Sequence, residues 1–110
     1  MRSLLAREPD LRVIDEAKDG QEAIDRCRLQ HPDLVLMNVR MPAVNGLGAT
    51  QTIKEELPTT KVLIVSAYED PFFVSAAVRA GADGYVRKLS LVQELVDAIR
   101  GVLRGGFHYP

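Results

Sequence analysis

The architecture of the chain follows from residues 33–46, DLVLMNVRMPAVNG. Residues 34–37 form a continuous apolar run without polar alternation, so we expect a strand that is covered on both faces, as at the centre of a parallel sheet. The run ends on one short polar residue, Asn38, and Pro42 and the pair 45–46 then force a turn. Open parallel sheets place their ligand and reaction sites at the carboxyl ends of their strands. Asn38 is therefore the first candidate for a functional position.

The composition limits the class of the protein. With 110 residues, of which 46% are hydrophobic and 26% charged, the chain is expected to form one globular domain. Its net charge of −1 gives no reason to expect binding to nucleic acid or to a membrane through bulk electrostatics. The single cysteine, Cys27, excludes an internal disulfide and favours a reducing, cytoplasmic setting. No apolar run approaches the length of a membrane span.

Strand-like and helix-like segments alternate along the chain. Apolar, β-rich runs predict strands at residues 11–15, 34–38, 61–66 and 84–87, and helical spacing predicts a helix after each of them. The first of these helices opens with the capping-box spacing of Asp19 and Glu22. This order is typical of a parallel α/β sheet with helices on both faces.

Three of the predicted strands end in polar residues of different kinds, namely Asn38, Ser66 and Lys88. Because parallel strands all end at the same edge, we expect these side chains to converge there. A hydroxyl and an ammonium beside a short oxygen-bearing group suit a small tetrahedral anion such as a phosphoryl group. Tyr85, on the last strand, is expected close to Ser66.

Each of these residues also has an ordinary structural explanation. Asn38 is common in turns, Ser66 alone is more often a plain strand-end hydroxyl, and Lys88 alone is more often solvated. Tyr85 is explained equally well by core packing. Only the combination at successive strand ends favours a functional site.

The sequence resembles a receiver domain of two-component response regulators, most closely the class joined to a helix-turn-helix DNA-binding domain. The likeness covers nearly all of residues 4–108. The pieces that carry it are PDLVLM (32–37), VRMP (39–42) with Gly46, VLIVSA (62–67) and AGADGYVRK (80–88). The resemblance implies a flavodoxin-like, doubly wound parallel sheet, no enzymatic activity of its own, and a histidine kinase and an output domain as partners.

The resemblance also implies a role for individual residues. Asn38 occupies the position of the aspartate that takes phosphate from the kinase. Ser66 and Lys88 would contact the phosphate, Tyr85 would be the switch aromatic, and the backbone carbonyl of Arg40 would be a magnesium ligand.

Two departures from the family pattern argue against phosphorylation of this chain. An amide at residue 38 has no anionic oxygen to attack phosphorus, so it cannot form an acyl phosphate. The family also opens with a strand that ends in an acidic pair holding magnesium, and neither occurs in this sequence. With mainly neutral oxygens left, we expect magnesium not to bind here.

The absent strand also affects the expected sheet. In the flavodoxin-like order 2-1-3-4-5, it would lie between the strands at 11–15 and 34–38. We therefore expect four strands from this chain, with a gap, a re-paired sheet or strand exchange with a neighbouring chain. Residues 1–104 would form a receiver-type domain that is incomplete at its N-terminus. Residues 105–110 would begin a linker to an output domain.

The leading functional hypothesis is a regulatory binding module in or near its unphosphorylated state. It would act through the surface of residues 71–104 and associate as a homodimer or a strand-exchanged dimer. Phe72 and Phe73 are the candidate contact residues, because adjacent helical positions point about 100° apart and at most one can be fully buried.

Two other classes remain as alternatives. One is a fragment or substituted form of an ordinary phosphate-accepting, DNA-binding regulator, in which DNA contact belongs to the parent protein and not to this domain. The other is an enzyme or nucleotide-binding protein on the same sheet. The sequence has no glycine-rich phosphate loop and no nucleophile elbow, which argues against that class.

Overall fold

The computed structural model describes residues 8–38, 45–66, 71–87 and 92–109. Strands and helices alternate through these ranges, as the sequence predicts. The elements are α1 (Gly20–Gln30), β1 (Leu34–Asn38), α2 (Gly46–Glu56), β2 (Lys61–Ser66), α3 (Pro71–Arg79), β3 (Gly84–Arg87) and α4 (Val92–Leu103).

The three strands form one parallel sheet in the order β1-β2-β3. Leu36 of β1 lies opposite Leu63 of β2, and Ile64 of β2 lies opposite Tyr85 of β3. β2 is the central strand, and its four apolar residues are at most 4% exposed. The predicted parallel α/β architecture is confirmed.

Helices cover both faces of the sheet, and each face has its own hydrophobic core. On one face, α1, α2 and α3 bury Ile24, Ile53 and Ala77 against Met37 and Tyr85. On the other face, α4 packs alone, with the residues Leu95, Val96, Ala98, Ile99 and Val102 against Leu63, Val65 and Val86. Burial on both faces explains why β2 shows no polar alternation.

The first two helices begin at capping residues that the sequence supplies. The Asp19 side chain accepts a hydrogen bond from the backbone N–H of Glu22 at 2.8 Å. The Asn45 side chain does the same for Gly48 at 2.9 Å. Each cap satisfies a backbone donor that has no partner within its helix. None of the helices in the described ranges is long and apolar enough to cross a membrane.

The prediction of a strand at residues 11–15 is wrong. Residues 11–17 alternate between half-buried and exposed positions, as an extended chain does, but they belong to no strand of the described sheet. A cavity of about 720 Å³ separates this segment from β1. A strand needs a hydrogen-bonded neighbour, and at this distance from β1 the segment has none. The missing first strand of the resemblance is consistent with this gap.

The expectation that residues 34–38 are covered on both faces is met only in part. In the described sheet, β1 is an edge strand, and its residues Leu34, Val35 and Leu36 are half-buried. Met37 alone in this strand is fully buried, at 1% exposure. The apolar run is present, but the described sheet contains no strand beside the outer edge of β1.

The chain after α4 folds back onto the far edge of the sheet. Gly105 adopts a left-handed φ of 94°, which turns the backbone. His108 then pairs with β3: its carbonyl accepts from the Tyr85 N–H at 2.7 Å, and its N–H donates to the Asp83 carbonyl at 3.2 Å. The Tyr109 hydroxyl donates to the Ala82 carbonyl at 2.5 Å. Residues 108 and 109 therefore pack against β3, whereas residues 105–107 are exposed.

Candidate functional site at the carboxyl edge of the sheet

The carboxyl ends of the three strands lie side by side. Asn38 ends β1 opposite Val65, and Ser66 ends β2 opposite Arg87, the last residue of β3. The Asn38 side chain is exposed, whereas Ser66 is only 3% exposed. Two of the three predicted site residues thus end neighbouring strands at one edge. Lys88 and Arg40 lie outside the described residues.

The described groups that end β1 and β2 at this edge are an amide, on Asn38, and a hydroxyl, on Ser66. The Asn38 amide offers two N–H donors and one neutral oxygen, and the Ser66 hydroxyl offers one donor. Formation of an acyl phosphate requires an anionic carboxylate oxygen as the nucleophile. Asn38 has the length of aspartate without its charge.

Tyr85 lies on β3, separated from the strand of Asn38 by β2, and is a core residue in this structure. It is 1% exposed and packs in the core that α1, α2 and α3 cover. It lies opposite Ile64, two residues before Ser66 on the neighbouring strand. The backbone N–H of Tyr85 donates a hydrogen bond to the carbonyl of His108. This bond connects β3 to residues 105–109, the C-terminal tail.

The described residues do not fit a magnesium ion. Across the described ranges, no three Asp, Glu, His or Cys side chains are grouped so that they could hold a metal. Asp15, at the end of the extended segment, already accepts hydrogen bonds from Arg26 and from Gln30. The Arg26 guanidinium holds the pKa of the Asp15 carboxyl below its usual range, which keeps it charged and paired.

The two predicted contact residues differ in burial. Phe72 is 65% exposed, whereas Phe73 is half-buried and packs against the core. Their rings meet edge to face, with centroids 5.7 Å apart. At most one of the two was expected to be fully buried, and Phe72 is the one that α3 presents to solvent.

A buried ion pair at the opposite, amino end of the sheet was not predicted from the sequence. Asp83 is 6% exposed, and its carboxylate accepts from the Val62 N–H at 2.9 Å and from the Lys54 ammonium at 3.1 Å. The same ammonium donates to the carbonyls of Pro58 and Thr60. Because all its polar contacts are internal, this cluster fixes the junction of α2, β2 and β3. Lys54 and Asp83 lie far apart in sequence, and no motif links them.

Comparisons with known proteins place the whole chain in one family. Residues 1–100 match the family described as the response regulator receiver domain. The chain is 34% identical over 106 residues to the transcriptional regulatory protein DegU of Brevibacillus brevis, covering 96% of this chain and 45% of that protein. It is 38% identical over 103 residues to the oxygen regulatory protein NreC of Staphylococcus carnosus, covering 93% of this chain and 48% of that protein. The chain thus spans about half the length of these curated relatives.

Solved structures agree in fold over nearly the full chain. A two-component response regulator of the LuxR family from Aurantimonas sp. SI85-9A1 superposes with a TM-score of 0.93 at 36% identity, covering 97% of this chain and 76% of that one. The signal receiver domain of the putative response regulator NarL from Mycobacterium tuberculosis gives a TM-score of 0.88 at 33% identity, covering 94% and 83%. The receiver resemblance is thereby confirmed, and the chain belongs to the response regulator receiver family.

Proposed function

We propose that this chain is a receiver module of a two-component transcription regulator and that it acts through protein contacts without accepting phosphate at residue 38. The observation that carries the proposal is the amide of Asn38, exposed at the carboxyl end of β1 next to the end of β2. Asn38 occupies the position of the phosphate acceptor in the family, but an amide lacks the anionic oxygen that such an acceptor needs. The chain is a binding module and not an enzyme.

The first experiment measures phosphorylation directly. The chain is incubated with acetyl phosphate and magnesium, and its intact mass is followed. We expect no gain of a phosphoryl group, because the amide lacks the attacking oxygen. A gain that is acid-labile and maps to residue 38 would refute the proposal and favour a normal phosphate-accepting regulator.

An Asn38→Asp variant separates the two departures from the family pattern. It restores the nucleophile but adds no magnesium ligands beyond one carboxylate. Because the described residues contain no group of three Asp, Glu, His or Cys side chains that could hold a metal ion, we expect the variant to remain largely unphosphorylated. Efficient phosphorylation of this variant would mean that the amide alone blocks the site.

The proposed contact surface is that of α3, β3 and α4, with Phe72 as its exposed aromatic residue. We propose that this surface pairs two copies of the chain or contacts an output domain. Phe72→Asp should lower association, measured by sedimentation over a range of concentrations. Leu29→Asp is the matched control, since Leu29 is an 82% exposed apolar residue on a different helix, α1. Equal association of both variants and the unaltered chain would remove Phe72 from the interface.

The remaining partners follow from the family. We propose a histidine kinase as the upstream partner, a cytoplasmic location, and a DNA-binding output domain in the parent protein beyond residue 110. The similarity to DegU, a transcriptional regulatory protein, and to NreC, an oxygen regulatory protein, supports a regulatory role for the parent protein. DNA binding is not proposed for the receiver module itself, whose net charge is −1.

A further inference from the structure

The outer edge of β3 is covered by the C-terminal tail, residues 105–109. The tail pairs with this strand in parallel. The His108 carbonyl accepts from the Tyr85 N–H at 2.7 Å, and the His108 N–H donates to the backbone carbonyl of Asp83 at 3.2 Å. These two groups of β3 lie on either side of Gly84. The tail thus occupies one donor and one acceptor that β3 directs away from β2.

The tail also contacts the elements on both faces of β3. Toward α4, the Nε2 of His108 lies 3.6 Å from the Oε1 of Glu94. On the other face of the sheet, the Tyr109 side chain packs against the core that α1, α2 and α3 cover, and its hydroxyl donates to the Ala82 carbonyl. Phe107, which precedes these contacts, is 76% exposed. Docking of the tail therefore depends on residues 108 and 109.

The tail is joined to α4 by two glycines. The N–H groups of Gly105 and Gly106 donate to the carbonyls of Val102 and Gly101 and so end the helix. Glycine adopts a wide range of backbone conformations, so rotation after this pair can lift residues 107–109 from β3 while α4 stays intact. None of the fully buried residues of the two cores lies in the tail. Release of the tail therefore leaves both cores in place.

The two groups that the tail occupies are self-complementary. In an antiparallel pair of strands, two facing residues that are not bonded to each other are flanked by hydrogen bonds between their neighbours. A two-fold axis beside Gly84 would place the Tyr85 N–H of each copy at the Asp83 carbonyl of the other. The Cα atoms of such facing residues are only about 4.5 Å apart. Gly84 has no Cβ that would obstruct this approach.

This edge lies at the centre of the contact surface proposed above. β3 lies between α3, which covers one face of the sheet, and α4, which covers the other. On α3, the side chains of Phe72 and Val78 are 65% and 54% exposed. The docked tail covers the strand between the two helices. A second copy that approached this surface would meet the tail before it reached β3.

We propose that the C-terminal tail is an autoinhibitory segment, which occupies the edge of β3 at which a second copy of this chain pairs once the tail is released. The inference rests on the proposed contact surface of α3, β3 and α4, and it names the occupant of that surface. The tail and the second copy compete for the Tyr85 N–H and the Asp83 carbonyl. Release of the tail therefore permits an antiparallel pairing of β3 with β3 of the other copy.

The first test releases the tail in the full chain. His108→Pro removes the N–H that donates to Asp83. Sedimentation over a range of concentrations should show that the Kd of the dimer falls about tenfold or more, since docking lowers the fraction of chains that can pair. Phe107→Ala, at the exposed neighbouring position, is the control and should leave the Kd unchanged. Thermal unfolding shows whether each variant is folded, and Tyr109→Ala replaces His108→Pro if the latter is not.

Hydrogen exchange at the Tyr85 amide locates the contact between the copies. In dilute His108→Pro this amide should exchange faster than in the unaltered chain, because the tail no longer covers it. Its exchange should slow as the concentration rises. When about nine-tenths of the chains are paired, the rate should be about tenfold below that of the monomer, because only unpaired chains exchange. The Val86 amide, which points toward β2, should change much less with concentration.

A double variant separates this inference from the proposed function. Phe72→Asp in the unaltered chain tests the contact surface by itself. Adding Phe72→Asp to His108→Pro should remove the gain in association, since both copies would then carry a charge beside the released edge. If His108→Pro pairs through the Tyr85 amide whether or not Phe72 is changed, the autoinhibitory role of the tail stands and Phe72 is not part of the interface.

Three results would overturn the proposal. The first is an equal Kd for His108→Pro and Phe107→Ala. The second is exchange at Tyr85 that stays fast in His108→Pro at concentrations where the variant is dimeric, since the copies would then pair elsewhere. The third is exchange at Tyr85 that is as fast in the unaltered chain as in dilute His108→Pro, since the tail would then not be docked. Phosphorylation at residue 38 has no bearing on any of these readouts.

Discussion

The two edges of the described sheet differ in what lies beside them. Along the outer edge of β3, His108 pairs with Asp83 and Tyr85, and the Tyr109 hydroxyl closes the contact on Ala82. Along the outer edge of β1 lies an apolar groove, bordered by a segment that follows the strand without pairing to it. One edge pairs with the end of the chain, and the other borders a groove in the described part of the structure.

The difference shows where the stability of this domain is expected to reside. β2 and β3 have backbone hydrogen bonds on both sides and pack against a hydrophobic core on each face of the sheet. We call these two strands the rigid half of the sheet. β1 has one paired side and three half-buried residues out of five. The contact surface proposed for α3 lies on a different part of the molecule from this groove.

The largest expected effect compares leucines that lie opposite each other on neighbouring strands. Leu63 of β2 is fully buried, whereas its partner Leu36 of β1 is half-buried beside the groove. Leu63→Ala should lower the free energy of unfolding by about 3–5 kcal/mol, because it leaves a cavity in a packed core. Leu36→Ala should cost about half as much, since part of its surface already faces the groove. Denaturant unfolding measures both, and equal losses would contradict the contrast between the central strand β2 and the edge strand β1.

The second expected effect concerns the protected edge. A Cβ added to Gly84 would lie 2.7 Å from a methyl group of Leu63 and 3.0 Å from the carbonyl oxygen of His108. Gly84→Ala should therefore lower the stability by about 1–3 kcal/mol through overpacking, and it should release the tail from β3. Exchange of the Tyr85 amide reports the release.

The control for this change is Gly101→Ala in α4. A Cβ at Gly101 meets nothing within 4 Å, and alanine is preferred over glycine inside a helix by about 1 kcal/mol. This variant should be as stable as the unaltered chain or more so. If Gly101→Ala lowers the stability and Gly84→Ala does not, the docking of the tail does not depend on the space beside Gly84.

The sequence predicted the elements that local pattern determines and missed those that depend on a distant neighbour. The apolar run of β2 and the capping residue Asp19 specify their own structure, and both behave as expected. Residues 11–15 have a strand pattern but no strand, because pairing requires a neighbour that the described sheet does not contain.

The same distinction applies to the candidate site and to the tail. The positions of Asn38 and Ser66 at neighbouring strand ends follow from the order of strands in a parallel sheet. The docking of His108 depends on a close approach to Gly84, and nothing in the local sequence around residue 108 signals it. The ion pair of Lys54 and Asp83 likewise joins elements that only the fold brings together.

A smaller effect is expected at the end of the tail. Burial and the nearby Asp83 charge raise the pKa of Tyr109 to about 12, compared with about 10 in an unfolded chain. The folded state therefore favours the neutral phenol, and this contribution is complete below pH 10 and is lost as the pH rises toward 12. Tyr109→Phe removes the hydrogen bond to Ala82 and should cost about 1 kcal/mol. The variant should also lack the decrease in stability between pH 10 and 12 that ionisation of Tyr109 causes in the unaltered chain. Denaturant unfolding over a range of pH measures this difference.

The smallest expected effect lies at the open edge and is local. Arg100 binds both Glu8 and Asp10 at 2.8 Å and so fixes the start of the extended segment to α4. Hydrogen bonding to Arg100 lowers the pKa of the Asp10 carboxyl, so this attachment is complete above the ordinary aspartate pKa and is lost as the pH falls through the lowered value.

Arg100→Gln should therefore raise the exchange rate of the Leu11 amide, which donates to the Glu8 carbonyl, at neutral pH. The midpoint of global unfolding should stay nearly unchanged, because exposed ion pairs contribute little to overall stability. High salt should have the same effect on the unaltered chain. Arg104→Gln, one turn further along at an exposed position, is the control and should leave the exchange of Leu11 unchanged. If Arg100→Gln instead lowers the unfolding midpoint as much as Gly84→Ala does, the extended segment is part of the rigid half, and the contrast between the two edges is lost.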